Sequence, residues 1–171
     1  ATSGEAGRLM PALTRSYPQA IDVVERGARA GESGKVVSSH LGRSSPPVSE
    51  RWLRAQQTAS AEEQRRADNL ARSQGRFTRN FVVQSTAAEW ALCWLAEIRR
   101  RLRAASGSSP AGQLVFFLHD EVMLHVPADR AEEVSALVTD AAAAATRLLF
   151  GRIPLEFPVV AVTVDSYAEA K

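Results

Sequence analysis

Two apolar runs, residues 113–118 and 122–126, stand on either side of His119-Asp120-Glu121. No other stretch limits the possible folds as much. Short apolar runs bounded by turn-forming residues read as strands, so the tripeptide reads as the tip of an antiparallel hairpin. Strands this apolar belong inside a fold, and they would hold the two carboxylates at the edge of a core. Rigid, adjacent carboxylates suit a hard divalent cation. The alternative is a plain solvated turn, because Asp is common in turns for local hydrogen-bonding reasons.

With 171 residues the chain is long enough for one domain with a real core, or for a large piece of a bigger one. Lys+Arg number 21 against 19 Asp+Glu, a net charge of +2, and the only lysines are Lys35 and Lys171. Arginine's planar fork suits phosphate, so the bias permits nucleic-acid binding without requiring it. The single cysteine, Cys93, excludes an internal disulfide and any multi-cysteine zinc site, which points to a reducing compartment. No apolar stretch approaches the roughly 18 residues of a membrane span, and the polar start lacks signal-peptide architecture. The expectation is a soluble cytoplasmic protein without a membrane partner. Because it begins at Ala1 and enters a helix-start pattern at once, the chain reads as an interior piece.

Residues 5–30 read as two helical stretches broken near Pro18, with Gly31 and Gly34 ending them. Residues 36–41 read as a short extended segment leading into the stiff turn at 42–47. The charged stretch 49–73 reads as a solvated helix laced with ion pairs. A strong helix is expected over 78–105, with Val82, Val83, Ala87, Trp90, Ala91, Trp94, Leu95 and Ile98 forming its apolar stripe. Another is expected over 128–149. Residues 159–164 alternate toward a final strand, with Pro158 tolerable at its start if that strand is an edge. Together these give an α+β fold, with an antiparallel sheet of hairpin plus C-terminal strand packed against long helices.

Arg76, Asn80 and Gln84 recur every four residues, so on a helix they share one face and drift by only about 40° per step. Such a ridge offers donors to minor-groove acceptors, which every base pair presents. An ordinary exposed helix face is the alternative. Trp90 and Trp94, one turn apart, read as core. His125 reads as a packing residue and His40 as a loop histidine.

These residues carry a family resemblance. The segment from Arg76 through Asn80 and Gln84-Ser85-Thr86-Ala87-Ala88 to Glu89 resembles the arginine, asparagine and Gln-Gly-Thr-Ala-Ala-Asp signature of family A DNA polymerases, the DNA polymerase I type. Leu118-His119-Asp120-Glu121-Val122 is similar to that family's motif C, at the expected distance downstream. Tyr17-Pro18 and Leu41-Gly42-Arg43 match two smaller landmarks in the right order. The wording from Arg76 to Leu102 is most similar to a bacterial bifunctional 3′–5′ exonuclease/DNA polymerase branch. Ser85 replaces the usual glycine, and Glu89 the usual aspartate.

The resemblance implies a partial polymerase domain, with rear fingers-type helices at 1–75 and a palm portion at 76–171. It implies that Asp120 binds two catalytic Mg2+ ions, with Glu121 as its supporting acidic neighbour and His119 near the primer terminus. Arg76, Asn80 and Gln84 would touch the minor groove of primer-template DNA, and Arg43 would lie near the duplex backbone. A dNTP would be the second substrate, and replication or repair the setting. Two-metal phosphoryl transfer needs carboxylates from at least two places. The family's motif A aspartate and nucleotide-binding helix are absent from residues 1–171 and would precede Ala1, in cis or on a partner chain, leaving the chain alone incomplete for catalysis. A non-catalytic DNA-binding or interaction module on the same scaffold is the alternative, and a structural helical protein with a chance hairpin is the third.

Overall fold

The computed structural model describes residues 3–151 and 153–170. They fall into two compact units, which part within a long helix between Thr86 and Ala87.

The first unit opens with α1 (Ser3–Ser16) and α2 (Pro18–Glu32). The break between them lies at Tyr17, since Pro18 is suited to a helix's first position and unsuited to its interior. The backbone N–H of Gly34 donates to Gly31 O at 2.9 Å and that of Lys35 to Ala30 O at 2.8 Å, closing α2 with a Schellman pattern. Only Gly34 ends the helix. Gly31 is buried within it, at a close approach to the long helix α4 (Ala61–Ala105), where an added Cβ would lie 2.0 Å from Thr78 Oγ1. Thr78 is fully buried and donates its hydroxyl to Gly27 O at 2.8 Å, so the same crossing satisfies its one polar group.

Helix α3 (Glu50–Ala55) is capped by Ser49, whose Oγ accepts from Trp52 N at 3.2 Å. Helix α4 then runs from Ala61 to Ala105 without a break, joining the solvated helix expected within 49–73 to the one expected over 78–105. Its start is a capping box: Glu63 N donates to Ser60 Oγ at 3.2 Å and Ser60 N to Glu63 Oε2 at 3.1 Å. The bond from Ala59 N, and after it the Ser60 side chain, hold the Glu63 carboxyl below its ordinary range.

In the second unit the rest of α4 packs against α5 (Ala131–Phe150) and the hairpin of β1 (Gln113–Leu118) and β2 (Glu121–His125). Trp94, Ile98 and Leu102 of α4 meet Val134, Val138, Ala141, Ala142 and Ala145 of α5. Trp94 Nε1 donates to Val138 O at 3.0 Å and Trp90 Nε1 to Thr146 Oγ1 at 2.9 Å, so both indoles sit as core with their polar tips satisfied. Val83 is half exposed, so the apolar stripe is narrower there than its residue types suggest.

The hairpin is antiparallel, with Leu118 opposite Glu121 and Gln113 opposite His125, and Val115 forms an irregularity between Leu114 and Phe116. Leu114, Val122 and Leu124 face the helices. By the two-residue strand period, Glu121 and Met123 face away from them. The α+β class holds, but two expectations do not. First, β1 is not buried, since Val115, Phe116, Phe117 and Leu118 are all at least 38% exposed. Second, residues 159–164 form no strand. Val160, Val162 and Val164 are all exposed, so no burial selects a register, and Pro158 removes a ladder donor. The sheet among the described residues has two strands. The C-terminal segment still returns to the unit: Phe157 lies 5.1 Å from Trp90 and 5.8 Å from Phe150, ring centre to ring centre.

Candidate functional site

The turn of the hairpin is two residues long, His119 and Asp120, and Glu121 already belongs to β2. A two-residue connection matches strand twist only when a central residue takes positive φ, and His119 does so at φ 54°. That region costs a residue with a Cβ on the order of 1–3 kcal/mol, although His tolerates it better than most. The conformation places Asp120 at the apex, with all three side chains exposed. Packing of Leu114, Val122 and Leu124 against the helices gives the exposed tip a fixed base.

The two carboxylates do not form a closed site. Asp120 sits in the turn, whereas Glu121 starts the strand and points away from the helices, so sequence adjacency does not make them converge. Among the described residues no group of three His, Cys, Asp or Glu side chains is placed to hold a metal ion. The donors present still fit part of a magnesium sphere, because that hard cation is commonly held by one or two carboxylates while water and phosphate oxygens complete it.

In the first unit, Arg76, Asn80 and Gln84 lie exposed along one face of α4, as the four-residue spacing requires. Arg76 Nη2 donates to Ser73 Oγ at 3.2 Å, which leaves most of its guanidinium accessible. The opposite side of the same turns carries buried Gly75, Thr78 and Ser85. Ser85 donates its hydroxyl to Phe81 O within the helix, so this hydroxyl in the family's glycine position is satisfied locally.

Arg43 is exposed on a loop closed by Ser39 N to Arg43 O at 2.9 Å and Arg43 N to Ser39 Oγ at 2.9 Å. That loop is fastened to α4, since His40 N donates to Thr86 Oγ1 at 3.1 Å. Thr86 in turn donates to Val82 O at 2.9 Å. Sequence reading missed this anchor two residues beyond Gln84, because no periodicity marks a single hydroxyl that joins residues 46 apart. His125 is exposed at the end of β2. The structure thus gathers His119, Asp120 and Glu121 at one turn and the ridge with the Arg43 loop on the other unit.

Residues 1–165 match DNA polymerase family A, so the chain belongs to that family. No curated protein matches it. Among solved structures it is similar to one described as the POL domain of Pol1 from M. smegmatis in complex with DNA primer-template and dNTP, at 18% identity and a TM-score of 0.58. The similarity covers 84% of this chain and 23% of that one, so the chain spans about a quarter of the polymerase structure that it matches. At this identity the likeness supports the fold.

Proposed function

We propose that the chain supplies rear fingers-type helices (1–75) and a palm portion (76–171) of a template-directed DNA polymerase that transfers a nucleotide from dNTP to a primer 3′-hydroxyl in the cytoplasm, in replication or repair. The observation that carries this reading is the exposed Asp120 at the apex of a core-backed hairpin, in a chain that belongs to family A. The solved relative, a complex with primer-template and dNTP, supports the same partners.

In this reading Asp120 would hold magnesium, Glu121 would be its supporting acidic neighbour, and His119 would contact the primer end. Bound cations would supply Lewis-acid activation of the hydroxyl and charge stabilisation of the phosphates. Arg76, Asn80 and Gln84 hold the minor groove near the growing end, where correct pairs of any sequence present similar acceptors. Arg43 holds the duplex backbone. A second carboxylate and a nucleotide-binding helix come from a segment outside residues 1–171, in cis or on a partner. With one motif carboxylate, the 171 residues alone do not fix two ions in line with the reacting oxygens.

One experiment tests both parts. Primer extension with magnesium and four dNTPs is expected to be absent for the 171-residue chain and present when it is joined to a segment carrying the missing aspartate and helix. Robust extension by the 171 residues alone overturns the division of labour. A non-catalytic DNA-binding module on the same scaffold is the second reading. It predicts duplex binding without extension in either form.

A further inference from the structure

At the base of the hairpin, the end farthest from Asp120, a groove of about 460 Å³ lies between the last turns of α4 and the start of β1. Arg99 and Arg103 line it, together with Ser106, Gly112 and Gln113, and none of its lining residues is acidic. The two arginines are four residues apart and therefore share one face of the helix. Their neighbours are committed elsewhere: Arg100 Nε and Nη2 each reach a Glu97 oxygen at 2.7 Å, and Arg101 Nε reaches one at 2.8 Å.

The ordinary role for cations at a helix C-terminus is to satisfy its last carbonyls and its dipole. Here that role is filled by other groups. Arg130 Nη2 donates to Ala105 O at 3.1 Å, and Ser106 N donates to Leu102 O at 3.0 Å. The Ser106 hydroxyl is also fully used, since it donates to Leu102 O at 2.8 Å and accepts from Ala111 N at 3.0 Å. It thereby closes the 107–110 loop and holds Gly112 and Gln113 beside the helix. What remains free in the groove is two guanidinium groups and the Gln113 amide, all suited to phosphate oxygens.

We infer that this groove, formed by Arg99, Arg103 and Gln113, is a second site for the phosphodiester backbone of the primer-template duplex. The inference rests on the polymerase reading and adds to it a contact remote from the chemistry. The six residues of β1 separate the groove from the turn by roughly 20 Å at about 3.3 Å per residue. A duplex lying along β1 with its primer end at the turn would span that distance in roughly six base pairs, at about 3.4 Å per nucleotide along a strand. Guanidinium contacts at this distance register the duplex without reading its sequence.

The test uses the full polymerase chain and self-priming DNA hairpins with stems of four and twelve base pairs. Binding is measured against salt concentration for the wild type, Arg99→Ala/Arg103→Ala and Arg99→Lys/Arg103→Lys. The alanine pair is expected to lower affinity for the twelve-pair stem and to reduce the log–log salt slope by about 2, roughly one for each phosphate left without its arginine. Affinity for the four-pair stem should not change. The lysine pair, which keeps the charge, should restore most of the slope. Unchanged affinity and slope on the long stem overturn the inference while leaving the polymerase reading intact, as does an equal loss on both stems. A wild type that binds neither stem removes both.

Discussion

The ridge on α4 and the acidic turn of the hairpin both present three polar side chains to solvent, but they rest on different foundations. Behind Arg76, Asn80 and Gln84 lies a helix-on-helix crossing in which a glycine lets α2 approach and a buried threonine hydroxyl bonds across. Behind His119, Asp120 and Glu121 lies a two-stranded ribbon that packs on one side and leaves Val115 to Leu118 largely exposed. The ridge therefore tolerates change at its surface and is vulnerable from behind. The turn keeps its fold when its tip is altered and is vulnerable in its chemistry.

The sharpest way to break this contrast is Asp120→Asn in the extension-competent protein. The substitution keeps size and shape but removes the charge that would hold magnesium, so nucleotide addition should slow by orders of magnitude. Primer-template affinity should barely change, or tighten slightly as repulsion from phosphates is relieved. Thermal stability should also hold, since Asp120 is exposed. A near-normal addition rate would remove Asp120 from the mechanism.

Next in size is Gly31→Ala, aimed at the back of the ridge. A Cβ there would lie 2.0 Å from Thr78 Oγ1 and 2.7 Å from Gln74 O, closer than atoms can approach, so α2 must move off α4. Overpacking of this kind costs about 1–3 kcal/mol. The urea midpoint should fall accordingly. Gly107→Ala, where nothing lies within 4 Å, is the control and should leave the midpoint in place. Equal midpoints for the two variants would show that the crossing does not support the ridge.

Gln84→Ala probes the ridge surface itself. Removing one exposed donor should weaken extension by about 1 kcal/mol, roughly fivefold, or raise misinsertion. The loss should be the same on every template, because minor-groove acceptors are shared by all pairs. A loss that followed a sequence motif would contradict the assigned role, and no loss at all would make the ridge an ordinary helix face.

Much of this contrast was legible in the sequence. Helical spacing placed Arg76, Asn80 and Gln84 on one face, and the apolar runs located the hairpin with Asp120 at its turn. The misses have separate physical causes. The two helices expected within 49–73 and over 78–105 are one, capped at Ser60-Ala61-Glu62-Glu63, because the charged run lacks the apolar period that would tie it to the stripe beyond 78. Gly31 looked like a terminator because a glycine's need for a close approach depends on which helix crosses it. The exposure of β1 was hidden because apolar composition predicts burial only where something covers the strand. For residues 159–164 the alternation was present, but a strand also requires a partner edge.

The smallest expected effect belongs to the ion pairs within α4. Hydrogen bonds from Arg100 and then Arg101 hold the Glu97 carboxyl at about 2, down from 4.5. A depressed folded-state value means that this contribution to stability is complete above the unfolded value and is lost as pH falls from about 4.5 toward 2. Arg100 is 66% exposed, so water and salt screen much of the interaction. Glu97→Gln should therefore lower the urea midpoint slightly at pH 6, and the gap to wild type should narrow by pH 3. Added salt should narrow it as well. A gap that stays constant between those pH values would mean that Glu97 acts by packing against the helix and not through its charge.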